Sequence, residues 1–254
     1  MSHSEFNIVK EFVGFSGARV YLMHDATKNL HFVRKQGNIT RNVEKLKLMH
    51  NAKFNVPCIY NVGNELLDME YIQGMDMKNY LLRHSSNSLV DFIVDTINKF
   101  KTTASIKNYH NVYVNKLSFI DNDIYIPFRK EELLSRLPST LEESLCHGDF
   151  TFENIIYSKS NKFFMIDCST GEYDSWIFDL AKMRQDLDAK WFTRNTNLRL
   201  DSSLITIKNN LKEQFPEAYD DNIYILMLLR VYQHAKPKTP EHTMLLTEIK
   251  KLWK

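Results

Sequence analysis

Two short apolar runs, Ile155-Ile156-Tyr157 and Phe163-Phe164-Met165-Ile166, flank the polar tetrapeptide Lys159-Ser160-Asn161-Lys162. Runs this brief, bounded by turn residues, fit strands rather than helices and commit the chain to a tight hairpin at this point. Costly polar groups crowd around it: His147, Asp149 and Asn154 before the turn and Asp167 after it. With the turn centred between Ser160 and Asn161, Asn154 and Asp167 are cross-strand partners. Such partners have Cβ atoms about 4.5–5.5 Å apart, so an amide oxygen and a carboxylate there can share one small hard cation. Asp149 precedes the strand and is free to accept a proton from an attacking hydroxyl. A one-residue slip in register would send one of the pair to the opposite face. The plainer reading makes each of these residues a turn or cap residue, where Asp and Asn are common. Three of them at these spacings beside His147-Gly148 favour chemistry.

The rest of the chain supplies the frame. Leu30 to Lys35 alternates like a strand, Arg41 to His50 has helical spacing, and Cys58 to Val62 and Leu66 to Ile72 form two further short strands. Past Gly74 the pattern turns helical, at Met75 to Arg83, Leu89 to Thr103, Arg129 to Leu137, Ile177 to Phe192 and three more segments towards the C-terminus. The expected fold class is α+β, with a β-rich N-terminal lobe over residues 1–73 and a mainly helical lobe over 74–254 that carries the hairpin.

The run His147-Gly148-Asp149-Phe150-Thr151-Phe152-Glu153-Asn154, followed by an apolar strand and Asp167, resembles the catalytic loop and metal-binding aspartate of kinases. The sequence is similar to the aminoglycoside phosphotransferase and choline kinase superfamily, small-molecule kinases with a protein-kinase-like, two-lobe fold. The resemblance runs as ordered landmarks from about Phe12 to Ala181. It implies ATP and Mg²⁺, with Asp149 as the catalytic base and Asn154 and Asp167 as the Mg²⁺ ligands. It places Lys35 on the α and β phosphates, with Arg34 as the competing choice, and makes Glu44 the partner of Lys35. The loop around Gly14, Ser16 and Gly17 would cover the phosphates, and the backbone of Glu70, Tyr71 and Ile72 would meet the adenine edge. Asp179, in Phe178-Asp179-Leu180-Ala181, corresponds to a residue that supports the catalytic loop, and His147 is read as bracing that loop.

The acceptor is less well specified. Choline kinases resemble one another in an aromatic and acidic cluster after the metal aspartate, where this chain has Cys168-Ser169-Thr170-Gly171. Asp179-Leu180-Ala181-Lys182-Met183 looks more like kinases of bacterial surface polysaccharide synthesis, which implies a sugar or polysaccharide precursor. Glu172, Tyr173, Asp174 and Trp176 are candidates for an acceptor wall. A choline, amino-alcohol or aminoglycoside kinase is the alternative, and a nucleotide-binding pseudokinase stands outside the enzymes. Protein kinases carry Asp-Phe-Gly where this chain has Asp167-Cys168-Ser169, which disfavours a protein acceptor.

Bulk properties narrow the partners. Lysine plus arginine, 33, nearly cancels aspartate plus glutamate, 31, so no general attraction to nucleic acid is expected. The longest apolar run, Ile223 to Leu229, is too short to span a bilayer, and the N-terminus lacks a signal-peptide pattern. A cytoplasmic protein without membrane insertion is expected. Three cysteines offer no even disulfide count or zinc spacing, and the histidines show no metal-binding spacing.

Overall fold

The structure, a computed structural model, describes residues 6–12, 18–102 and 105–254. By contact the chain divides into two units: Met1–Asp76 with Asn154–Gly171, and Met77–Glu153 with Glu172–Lys254. The fold is mixed α+β, with sheet in the N-terminal region and helices in the C-terminal region.

The first unit is built on an antiparallel sheet in the order β1-β2-β3-β5-β4. Its strands are β1 (Phe6–Phe12), β2 (Arg19–Asp25), β3 (Leu30–Gln36), β4 (Ile59–Gly63) and β5 (Leu66–Glu70). Alternation along β3 decides which of its two cations turns to which face. Arg34 lies directly across from Asp68 of β5 and forms a two-pronged pair with it at 2.7 and 2.8 Å. Lys35 faces the other way and is 4% exposed. Helix α1 (Thr40–Asn51) buries Asn42, Val43, Lys45, Leu46 and Met49.

A second sheet pairs β6 (Gly74–Asp76) with the predicted hairpin, β9 (Ile155–Ser158) and β10 (Phe163–Met165), in the order β10-β9-β6. Gly74 is required here, because a Cβ on it would lie 2.2 Å from the Tyr157 carbonyl oxygen. The hairpin is tied into this unit by Met165 N–H donating to the Asn55 carbonyl at 2.9 Å and by the Asn55 side chain donating to the Phe163 carbonyl at 3.2 Å.

The register expected from sequence is corrected by one residue. The ladder pairs Tyr157 with Phe163, Ile156 with Phe164 and Ile155 with Met165. Asn154 therefore meets Ile166, whose N–H donates to the Asn154 carbonyl at 2.9 Å, and not Asp167. The cause is the turn. Ser158 N–H donates to the Lys162 carbonyl at 2.8 Å and Asn161 is left-handed at φ 59°, which makes a three-residue loop centred on Ser160. This is the hairpin built from a type I turn and one left-handed residue, a conformation that asparagine tolerates.

The second unit holds α2 (Met77–Arg83), α3 (Asn87–Lys101), α4 (His110–Lys116), α5 (Lys130–Arg136), α6 (Trp176–Leu187), α7 (Asp201–Gln214), α8 (Asp221–Tyr232) and α9 (Pro240–Leu252). A small ladder joins β7 (Ser105–Asn108) to β8 (Thr140–Glu143). Every residue of α6 is buried. It starts where the Ser175 hydroxyl caps Ile177 N–H. It ends short of the predicted Phe192, Lys190 being left-handed at φ 56° with a separate 3₁₀ turn at Trp191–Thr193 beyond it. The apolar run Ile223 to Leu229 lies in α8 and is buried. No helix among the described residues is long and apolar enough to cross a membrane. None of the three cysteines forms a disulfide; Cys146 and Cys168 are buried and Cys58 is exposed.

Candidate active site

In the first unit, β3 carries Lys35 to Asp167, with Nζ 2.6 Å from Oδ1. Asp167 follows the end of β10 in the left-handed region at φ 57°, a conformation in which a short carboxylate side chain is among the better-tolerated residues. Asn42, in the first turn of α1, donates to the Cys168 carbonyl at 2.9 Å and reaches Asp167 Oδ1 at 3.4 Å. Thr170 N–H adds a bond to the Arg41 carbonyl at 3.2 Å. The segment after the hairpin is thus strapped to the start of α1, and Asp167 is held beside the buried ammonium of Lys35.

Glu44 is not brought to Lys35. It is exposed on α1, one position off the buried face formed by Val43, Leu46 and Met49. Asn42 stands near the pair instead. Sequence reasoning missed Asn42, although a polar residue adjoining that apolar stripe was the available signal. Asn154 is half-buried in the 3₁₀ turn that leads into β9. Ile72 is buried, and Tyr71 to Gln73 belong to neither β5 nor β6. Glu70 N–H donates to the Cys58 carbonyl at 2.8 Å, and its carboxylate accepts from Cys58 N–H at 3.1 Å. Gly14, Ser16 and Gly17 lie outside the described residues.

In the second unit one face of α6 grips the loop that carries Asp149. Asp179, Lys182 and Asp186 recur at helical spacing. Asp179 accepts the backbone N–H groups of His147 and Gly148, the latter at 2.9 Å. Gly148 sits at φ 91°, where a side chain would be strained. Lys182 Nζ lies 3.4 Å from Asp149 Oδ1, and Asp186 accepts Phe152 N–H at 2.7 Å. His147 is fully buried, and its Nδ1 accepts Asp149 N–H at 3.2 Å, which leaves the ring proton to Nε2.

The electrostatics follow from this packing. Desolvation pushes the Asp149 carboxyl up, but the charges of Lys182 and Arg230 and the hydrogen bond from Lys182 outweigh it and hold the group below the usual carboxylate range. Asp149 is therefore ionised at neutral pH. Burial lowers Lys182 below an ordinary lysine, against the pull of Asp149. Asp186 is pushed by burial up to about 7, with its second oxygen lacking a hydrogen-bond partner among the described residues.

Of the proposed acceptor wall, Trp176 and Tyr173 are buried. Glu172 pairs with Lys116, and Asp174 pairs with Lys107 at 2.5 Å and accepts the Tyr109 hydroxyl at 2.9 Å. Among the described residues, no group of three or more His, Cys, Asp or Glu side chains is placed to hold a metal ion.

The sequence model of the phosphotransferase enzyme family matches residues 16–201. The chain belongs to that family, and its class is that of the small-molecule kinases. No curated protein matches the sequence. Among solved structures it is similar in fold to a Plasmodium vivax ethanolamine kinase, with a TM-score of 0.55 at 13% identity over 98% of this chain and 82% of that one. The choline kinase LicA from Streptococcus pneumoniae gives a TM-score of 0.51 at 14% identity over 96% of this chain and 93% of that one. Both are kinase-like folds, and at this identity the likeness speaks to fold.

Proposed function

We propose that the protein transfers the γ-phosphoryl group of ATP to a hydroxyl of a small molecule, a sugar or surface-polysaccharide precursor in the first instance. The observation that carries this reading is Asp149, an ionised carboxylate on a loop that α6 fixes at every turn. Asp149 orients the acceptor hydroxyl and takes its proton as the oxygen bonds to the γ-phosphorus. The bond from that phosphorus to the β–γ bridging oxygen breaks, and its electron pair leaves with ADP. Lys35 presents its ammonium to the α and β phosphates, with Asp167 and Asn42 keeping it and the adjoining backbone in place. Asp167 and Asn154 both lie outside the paired strands, past β10 and before β9, so the shifted register does not assign them to opposite faces, and they supply the hard oxygen donors that Mg²⁺ prefers; a site with few protein ligands suits an ion that also binds substrate phosphates. Bound there, Mg²⁺ would neutralise charge on the β and γ phosphates. Tyr71 and Ile72 offer backbone groups to the adenine. A choline or amino-alcohol acceptor is the second reading, favoured by the two kinases of similar fold named above.

The test is to incubate the protein with Mg²⁺-ATP and pooled sugars, amino alcohols and aminoglycosides, with Asp149→Asn as the control. A phosphorylated product seen by mass spectrometry and lost in the variant is expected. ATP binding without turnover of any acceptor would instead support a nucleotide-binding module.

A further inference from the structure

Arg230, in the last turn of α8, is a half-buried cation whose charge acts on the Asp149 carboxylate. Its guanidinium donates to the Gly148 carbonyl at 3.2 Å, one residue before Asp149, and reaches the Met227 sulfur at 3.6 Å. It lies 4.9 Å over the ring of Tyr173. No carboxylate among the described residues forms an ion pair with it. Asp149 is engaged by Lys182, and the two acids that flank Tyr173 in sequence are engaged as well, Asp174 by Lys107 and Glu172 by Lys116. The Tyr173 hydroxyl is buried without a hydrogen-bond partner among the described residues.

This arrangement suits one kind of acceptor poorly. A quaternary or primary ammonium is recognised by open aromatic faces or by unpaired carboxylates. Here Arg230 covers a face of Tyr173 and the nearby carboxylates carry lysines. A guanidinium fork with spare donors matches the oxygens of a phosphate or carboxylate instead.

We infer that Arg230 marks an acceptor subsite beside Asp149 for an anionic group, so that the hydroxyl to be phosphorylated belongs to a molecule that already bears a phosphate or carboxylate. This rests on the kinase reading and narrows its substrate class, setting choline and aminoglycosides aside. The bond to Gly148 suggests a rival role for Arg230, bracing the loop only. Glutamine at this position can still donate to that carbonyl but carries no charge, so it separates the two.

The test is isothermal titration of inorganic phosphate and of choline into the protein saturated with Mg²⁺ and a non-hydrolysable ATP analogue. Phosphate should bind the wild type, weaken about 10-fold or more in Arg230→Gln, the usual loss for a hydrogen bond to a charged group, and be partly retained in Arg230→Lys. Choline should not bind. Thermal melting of each variant checks that it is folded. Phosphate affinity equal in wild type and Arg230→Gln, no phosphate binding at all, or choline binding would each overturn the inference while leaving the kinase intact. Failure of the ATP analogue itself to bind would overturn the kinase reading, and this inference with it.

Discussion

Each unit sets a buried lysine against a more open aspartate, and the two pairs differ in how they are built. The Lys35 side chain is 6% exposed against 48% for that of Asp167, and the Lys182 side chain 8% against 43% for that of Asp149. In the first pair the lysine comes from a strand and the aspartate from a left-handed position past a hairpin. In the second the lysine comes from a buried helix and the aspartate from a loop that the same helix holds by its backbone. In the proposed mechanism the first pair leaves charge where phosphates can compete for the ammonium. The second keeps a base ionised, because a fixed cation offsets the cost of desolvating it. On that proposal the two similar pairs serve opposite purposes, one to be opened by a ligand and the other to persist.

Three experiments break or sharpen that contrast. The largest effect is expected from Lys35→Met, which should cost on the order of 10²-fold in kcat/KM for ATP, the scale for losing hydrogen bonds between charged groups, with the pH profile unchanged in shape. A loss confined to the acceptor KM would sink the assignment of Lys35 to the nucleotide. Lys182→Met should cost less, about 10-fold in kcat at neutral pH, under the roughly 10²-fold or more that a general base contributes, because the base itself remains. Its signature is the acid limb. With the lysine charge gone, desolvation has less opposition, Asp149 titrates at higher pH, and activity falls away sooner on acidification. An acid limb in the same place for variant and wild type would show that Lys182 only packs.

The smallest effect concerns stability. Asp186 is raised to about 7 in the folded protein from an ordinary carboxylate value. A raised acid favours the fold fully below its unfolded pKa, and that contribution is lost as pH climbs through the folded value. Asp186→Asn keeps an acceptor for Phe152 N–H and removes the buried charge. Its Tm relative to wild type should rise between pH 4 and pH 8 and level off above. A constant difference across that range would show that Asp186 is not the titrating group.

Much of this was legible beforehand, for physical reasons that differ by residue. The hairpin announced itself through two short apolar runs around a polar turn, and the landmarks Asp149, Asn154, Asp167 and Lys35 stood in order along the chain. The choice between Arg34 and Lys35 was not legible, since it depends on which face of β3 meets Asp68. Glu44 looked suitable by charge, yet the apolar stripe of α1 turns it to solvent and brings Asn42 inward. Lys182 reads as one more polar residue in a helix until the helix is seen to be buried on every side.

Sequence by itself determined the α+β class, because periodicity is a local property that survives without a fold, and its motifs carried the resemblance to the family. Tertiary structure alone decided the register of the hairpin, the partner of Lys35 and the ionisation of Asp149. Each of these depends on a contact between residues far apart in sequence or on the left-handed turn at Asn161, which shifts a whole ladder by one residue. Desolvation and charge act through space, and only packing specifies which charges are neighbours.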